Sequence, residues 1–224
     1  MNKNIIFLLR SYNRPEYLRK TLEYLDKSDL DDYCSEKYIY DDASDNIETL
    51  NILNNYKNKY NILYNTKNYK QKSFVKFMEY IETINTEKID FICYLDNDAL
   101  VTNDFLKRVI DTFELIKKER NKTINEIIVS GFNTKRHPIA KIYNNYVLKK
   151  TIGGIHMFFH KSLLNSIKTW WDNPQVGPDG DWGVCHFFNK NGGEIYCLKP
   201  SVVQHIGFYG CWSNGNPDRS EIKI

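Results

Sequence analysis

The sequence predicts an α/β fold built on a mostly parallel central sheet with helices on both faces. Three observations carry this. Residues 5–9 and 91–95 are unbroken apolar runs, the pattern of strands buried on both faces. Between such runs lie stretches with apolar residues at helical spacing, so the first 130 residues alternate strand and helix. The chain has 224 residues, 42% hydrophobic and 26% charged, enough for one full core and too apolar for a wholly disordered chain.

The elements follow in order. Residues 5–9 form the first strand. Pro15 stands at a first helical position, and Leu18, Leu22 and Leu25 recur at i, i+4, i+7 on one helix face. Residues 37–40 read as the second strand and end in Asp41-Asp42; residues 62–64 read as the third. Phe74, Phe77, Met78 and Ile81 mark a helix, and 91–95 is the clearest buried strand. Phe105, Val109 and Phe113 line another helix, followed by a strand at 126–130. Residues 141–143 and 146–148 flank Asn144-Asn145 as a hairpin, and Gly153-Gly154 precede a strand at 155–160. Glycines and prolines gather between 174 and 215, which predicts a loop-rich second half. No repeat or linker divides the chain, so one domain spans 1–224, with halves meeting near residue 130.

Composition narrows the function. A net charge of +3, from 31 basic and 28 acidic residues, gives no electrostatic reason to expect a nucleic-acid partner. Five apolar residues near the start are too few for a signal-peptide core or a membrane segment, so a soluble, cytoplasmic or otherwise intracellular protein is expected. Cys34, Cys93, Cys185, Cys197 and Cys211 are odd in number and lack CxxC spacing, which reads as free thiols in a reducing compartment. The Asn121-Lys122-Thr123 sequon is then expected to stay unmodified. The 25 Asn and 16 Tyr are assigned to AT-rich codon usage, not to function. Neither GxxxxGK[ST] nor GxGxxG occurs, against P-loop and dinucleotide enzymes.

Polar residues gather where the strands end. The first strand leads into Arg10-Ser11-Tyr12-Asn13-Arg14-Pro15, the second into Asp41-Asp42-Ala43-Ser44-Asp45, and the 91–95 strand into Asp96-Asn97-Asp98. Parallel strands place ligands at their carboxyl ends, so two acidic clusters converge on one crevice. Like charges that close repel unless a cation lies between them. Carboxylates at i, i+2 suit Mg²⁺ or Mn²⁺, which keep positions open for phosphates.

These motifs, in this order, resemble glycosyltransferase family 2 and its GT-A fold, a Rossmann-like architecture. The resemblance rests on Ser11 to Pro15, the Asp41 to Asp45 block, Asn68-Tyr69-Lys70 before a helix, Tyr94-Leu95-Asp96-Asn97-Asp98, Gly153-Gly154 before a strand, and Asp179-Gly180-Asp181-Trp182. It implies a metal-dependent, inverting transfer of sugar from a UDP-sugar to a hydroxyl of a saccharide or glycoconjugate acceptor. Residues 1–130 would be the nucleotide-sugar-binding half and 131–224 the acceptor-side half. Ser11, Tyr12, Asn13 and Arg14 would border the nucleotide, and Asp41 or Asp42 would bond its uracil or ribose. Asp98 would bind Mn²⁺ or Mg²⁺, with Asp96 nearer the ribose or a metal-bound water and Asn97 beside the nucleotide-sugar. Gly153 and Gly154 would line the sugar and acceptor side. Asp181 matches the catalytic base; Asp179 is the alternative, because the family's Glu-Asp reads Pro178-Asp179 here.

His205 ends a strand at 202–205 and resembles the late histidine that completes the metal shell in several GT-A enzymes; the other reading is a hydrogen-bonded strand-end histidine. His156 and His160 share a strand face and read as ordinary half-buried histidines, His186 as structural, and His137 as a loop residue. Arg10, Lys70 and Lys72 are candidates for the diphosphate. One of Trp170 and Trp171 is a candidate to stack on acceptor sugar, the other to pack in the core. Tyr209, Trp212 and residues 210–219 read as either an active-site flap or a terminal tail. Two further functions remain open: a sugar-nucleotide or glycan binding module with an inactive site, and a sugar nucleotidyltransferase. The latter class opens with a glycine-rich basic loop that is absent here.

Overall fold

A computed structural model describes residues 4–84, 88–171, 173, 180–207, 209–210, 213–214 and 219–221. A nine-stranded sheet has the order β3-β2-β1-β4-β9-β6-β10-β8-β7. Its first half comprises β1 (Ile5–Ser11), β2 (Cys34–Asp41), β3 (Asn61–Tyr64) and β4 (Phe91–Asp96). These strands run parallel, with β1 between β2 and β4. The second half adds β6 (Ile127–Ser130), β7 (Ile139–Ile142), β8 (Tyr146–Lys149), β9 (His156–His160) and β10 (Glu194–Leu198). β9 inserts antiparallel between β4 and β6, β10 runs parallel to β6, and β8 and β7 close that edge antiparallel. The sheet is therefore parallel in its first half and mixed in its second. The second half also holds more regular structure than its glycines and prolines predict.

Alternation along β1 explains its unbroken apolar run. Ile5, Phe7 and Leu9 face α1 (Pro15–Leu25), α3 (Ile47–Asn55) and α5 (Phe105–Glu119) through Leu18, Leu22, Leu53 and Val109. Ile6 and Leu8 face α4 (Ser73–Thr83), α6 (Leu164–Trp171) and α7 (Gly180–Lys190) through Phe74, Phe77, Ile167 and Val184. These five apolar residues of β1 are all fully buried. Each such side chain contributes roughly 1.5–3 kcal/mol, so the strand needs both helical layers.

Three further elements frame the site. Asp29, just before the short α2 (Leu30–Tyr33), accepts bonds from the Leu106 and Lys107 amides at 2.9 and 2.8 Å, capping the start of α5. β5 (Ala99–Val101) follows β4 after a two-residue turn and pairs antiparallel with β11 (Val203–His205). Tyr209–Gly210 and Ser213–Asn214 form a small separate ladder, β12 and β13. Asp179, Cys211 and Trp212 lie outside the described residues. Among the described residues no helix is long and apolar enough to cross a membrane.

Candidate active site

The β5–β11 ladder sets the first contact. Its register places His205 opposite Ala99, beside Asp98. His205 Nε2 lies 3.2 Å from Asp98 Oδ2, and Arg14 Nη2 lies 2.8 Å from the same oxygen. Asp98 Oδ1 is buried and has no hydrogen-bond partner among the described residues. Burial alone would raise the Asp98 pKa; the His205 bond and the Arg14 charge outweigh it and hold the carboxyl down at about 2. Burial works against His205 protonation, but Asp98 overrides it and raises the imidazole. Gly207 closes over the cluster. A Cβ there would overlap Asp98 Oδ2 and sit 2.7 Å from His205 Nε2 and 2.8 Å from Arg14 Nη2.

The neighbouring carboxylate is committed differently. Arg10 grips Asp96 with two contacts, Nε to Oδ1 at 3.0 Å and Nη2 to Oδ2 at 3.1 Å, and Tyr94 Oη donates to Oδ1. Asp96 and Asp98 thus sit at one strand end but have separate partners. Asn97 is buried and its amide reaches the Asn13 carbonyl at 3.4 Å.

The acidic end of β2 holds loops. Asp41 accepts from the Ser44 amide at 2.8 Å and hydroxyl at 2.6 Å. Asp42 accepts from Asn65 Nδ2 at 3.0 Å and from the Tyr69 and Lys70 amides at 2.8 Å each. Both carboxylates are almost wholly enclosed, and burial raises the Asp41 pKa. These bonds fix the turns that begin at Ser44 and Asn65. The Lys70 and Lys72 side chains are exposed. Ser11 is buried and pairs with Asp41 in the β1–β2 register, whereas Tyr12 is 40% exposed.

The opposite wall comes from the second half. Asp181, in the first turn of α7, accepts from the Gly154 amide through Oδ2 at 2.7 Å and from the Trp182 amide through Oδ1 at 2.9 Å. Gly180 lies so close beneath the Trp171 indole that a Cβ would overlap the ring. Trp171 stacks on Phe74 at 4.1 Å and donates its Nε1–H to the Gln71 carbonyl at 2.9 Å. Trp170 turns instead toward Phe188. Asp181 and the Gly153-Gly154 pair therefore share one wall.

A cleft of about 420 Å³ separates these groups. Asp96 and His205 line one side, Gly153, Gly154 and Asp181 another. Phe132, Arg136, His137 and Trp182 also line it, and sequence reasoning missed all four as site residues. His137 is a loop residue, as its Pro138 neighbour suggests. It reaches the cleft because buried Lys149 Nζ donates to the Thr134 and His137 carbonyls at 2.6 and 2.8 Å. His156 is fully buried, with Nδ1 accepting from the Gly131 amide at 2.9 Å. His160 bonds Ser162, and His186 lies on α7.

The Asp98–His205 pair fits a small divalent cation. An unpartnered buried carboxylate oxygen and an adjacent imidazole are suitable donors for Mn²⁺ or Mg²⁺. No group of three or more His, Cys, Asp or Glu side chains gathers around a common point among the described residues. Asp98 and His205 are the two side chains here that could hold such an ion.

The fold recurs in known proteins. Protein CgeD of Bacillus subtilis (strain 168) is 27% identical over 176 residues, 75% of this chain and 40% of that protein. The structure of GalNAc-T7 with UDP, GalNAc and Mn²⁺ has a TM-score of 0.70 at 13% identity, covering 95% of this chain and 45% of that one. S. aureus TarS 1-349 has a TM-score of 0.62 at 16% identity, covering 89% and 59%; the same protein in complex with UDP gives 0.59 at 17% identity, with the same coverage. This chain thus spans about two fifths of the curated relative's length, and likeness at these structural identities speaks to fold. The sequence model described as Glycosyl transferase family 2 matches residues 8–163, well over half of the chain. The chain belongs to glycosyl transferase family 2.

Proposed function

We propose that this chain is the catalytic domain of a metal-dependent, inverting glycosyltransferase that moves a sugar from a UDP-sugar to a hydroxyl of a saccharide or glycoconjugate. The observation that carries this reading is the cleft itself. It sets Asp181 on one wall and His205, bonded to Asp98, on the other. A binding module has no need of a carboxylate so positioned, whereas an inverting transfer needs one base opposite the leaving diphosphate. The UDP in the TarS and GalNAc-T7 structures supports the choice of donor.

Asp181 acts as the base in this reading. The Gly154 and Trp182 amides each engage one of its oxygens and fix the carboxylate plane. It takes the acceptor hydroxyl's proton as that oxygen bonds to the anomeric carbon. The bond from the anomeric carbon to the diphosphate oxygen breaks, and UDP departs with the electron pair. Asp98 and His205 would hold the divalent ion, which when bound supplies positive charge to the leaving diphosphate. Asp96, fixed by Arg10, faces the same cleft with its carboxylate already oriented. Trp182, 48% exposed, offers aromatic surface to an acceptor sugar, whereas Trp171 is packed between Phe74 and Gly180.

Asp181→Asn tests the assignment. Transfer should fall about 10²–10⁴-fold, the usual contribution of a positioned base, while UDP affinity stays near wild type. Full turnover in Asp181→Asn, with loss in Asp179→Asn, would move the base to Asp179.

A further inference from the structure

Two arginine–aspartate pairs stand side by side at the carboxyl ends of β1 and β4, and they differ. Arg10 and Asp96 are saturated: two contacts join them and Tyr94 adds a third bond. Arg14 and Asp98 are joined by one contact, Nη2 to Oδ2 at 2.8 Å. Both partners keep unused capacity, because Arg14 Nε and Asp98 Oδ1 are buried without hydrogen-bond partners among the described residues. A structural arginine–carboxylate pair normally uses both prongs of its fork.

The backbone also treats Arg14 unusually. Asn13 and Arg14 have φ of 46° and 61°, left-handed values that a non-glycine side chain rarely adopts. The Asn13 amide donates to Ser44 Oγ at 2.7 Å, and Asn13 Oδ1 accepts from the Asp45 and Asn46 amides at 3.2 and 3.0 Å. These bonds hold the turn in a conformation that costs energy, a condition that persists where the surroundings over-determine it. In the same pose Arg14 also packs on an aromatic face. Its guanidinium carbon lies 4.4 Å from the centre of the Tyr17 ring, within cation–π range.

We infer that Arg14 is the internal counter-cation of the Asp98 site, competing with the divalent ion for the same carboxylate and so setting how tightly that site takes metal. This rests on reading Asp98 and His205 as the metal donors. Asp98 Oδ2 already faces Arg14 and His205, with Gly207 against it, so a cation arriving at this carboxylate meets the guanidinium charge at close range. A cation on either oxygen of Asp98 would oppose the guanidinium charge and would loosen Arg14 from the carboxylate, with the Tyr17 face retained as a partner. Arg14 is a positioning residue in this scheme, acting through Asp98.

The test needs no substrate. Free Mn²⁺ is followed by electron paramagnetic resonance while the whole chain is titrated, in wild type, Arg14→Gln, Arg14→Gly and Asp98→Asn. Arg14→Gly relieves the left-handed backbone and guards against a folding defect in Arg14→Gln. Both Arg14 variants should bind Mn²⁺ about tenfold or more tighter than wild type, the size of one charge-assisted bond removed from a competitor. Asp98→Asn should lose the site. Equal or weaker binding in the Arg14 variants, with wild type binding and Asp98→Asn not, overturns the competition and leaves the metal reading standing. Mn²⁺ binding in none of the proteins, or binding unchanged in Asp98→Asn, overturns both. A merely structural arginine would weaken the site when removed, so the sign of the change is decisive.

Discussion

Gly207 shows how little room the site allows at the scale of one residue. Its missing side chain is what lets Asp98, His205 and Arg14 converge. Any Cβ would overlap Asp98 Oδ2, so even alanine must push the carboxylate or the glycine aside. Gly207→Ala should therefore weaken Mn²⁺-dependent UDP binding at least about tenfold, since sites of this kind tolerate errors well below an ångström. Calorimetric titration of UDP in Mn²⁺ checks this, and an unchanged affinity would remove Gly207 from the site. Asp98 is legible in the sequence, because paired acids directly after a buried five-residue strand mark the end of the sheet where ligands bind. Gly207 is not. Its role follows from β11 pairing with β5 across about a hundred residues, which no local pattern encodes.

Elements position these residues through loops that are themselves held by buried acids. Asp42 is the clearest case. The family resemblance offers Asp41 or Asp42 to the nucleotide; in the structure the Asp42 carboxylate accepts bonds from Asn65, Tyr69 and Lys70, ahead of α4. Asp42→Ala strips the Tyr69 amide and the Asn65 side-chain amide of this acceptor, while the Lys70 amide keeps Asn68 Oδ1 at 2.7 Å. It should cost about 3 kcal/mol, the range for buried donors left unpaired, read as a shift in urea midpoint. A cost below about 1 kcal/mol would show that water takes over those bonds. Strands and helices of the first half are readable from sequence because each buries two faces or one stripe, and periodicity reports that directly. β10 escapes sequence reasoning: glycines precede it and Lys199-Pro200 follows it, so its five residues lie among breakers. β9 is readable as a strand, but its direction is not. The segment from His156 to His160 carries nothing that selects β4 and β6 as antiparallel neighbours; that choice belongs to the sheet.

For the whole molecule, the sheet's two-faced burial has a consequence for acid stability. His156 lies on β9 in the middle of the sheet, fully enclosed, and burial pushes its pKa to about 3 from the ordinary 6.5. Between those values the unfolded chain binds a proton that the folded chain refuses. Stability from neutral His156 is thus present above pH 6.5 and is lost as pH falls toward 3, at about 1.4 kcal/mol per pH unit. His156→Asn keeps an acceptor for the Gly131 amide and removes the titration. Urea melts at several pH values should give this variant a shallower acid slope than wild type; identical slopes would mean the histidine is protonated in the fold.

The molecule also brings two halves to one cleft, the first supplying Asp96, with Asp98 behind it in contact with His205, and the second supplying His205 and Asp181. The most direct test of that account is the melting temperature of wild type and Asp98→Asn with UDP, in Mn²⁺ and in excess chelator. Ligand at about a hundred times its dissociation constant adds roughly 2.7 kcal/mol, which for a chain of this size raises the melting temperature by about 5–10 °C. That rise is expected in wild type with UDP and Mn²⁺ together, and its loss in chelator or in Asp98→Asn. No stabilisation by UDP under any condition, or the same rise in Asp98→Asn, would contradict it.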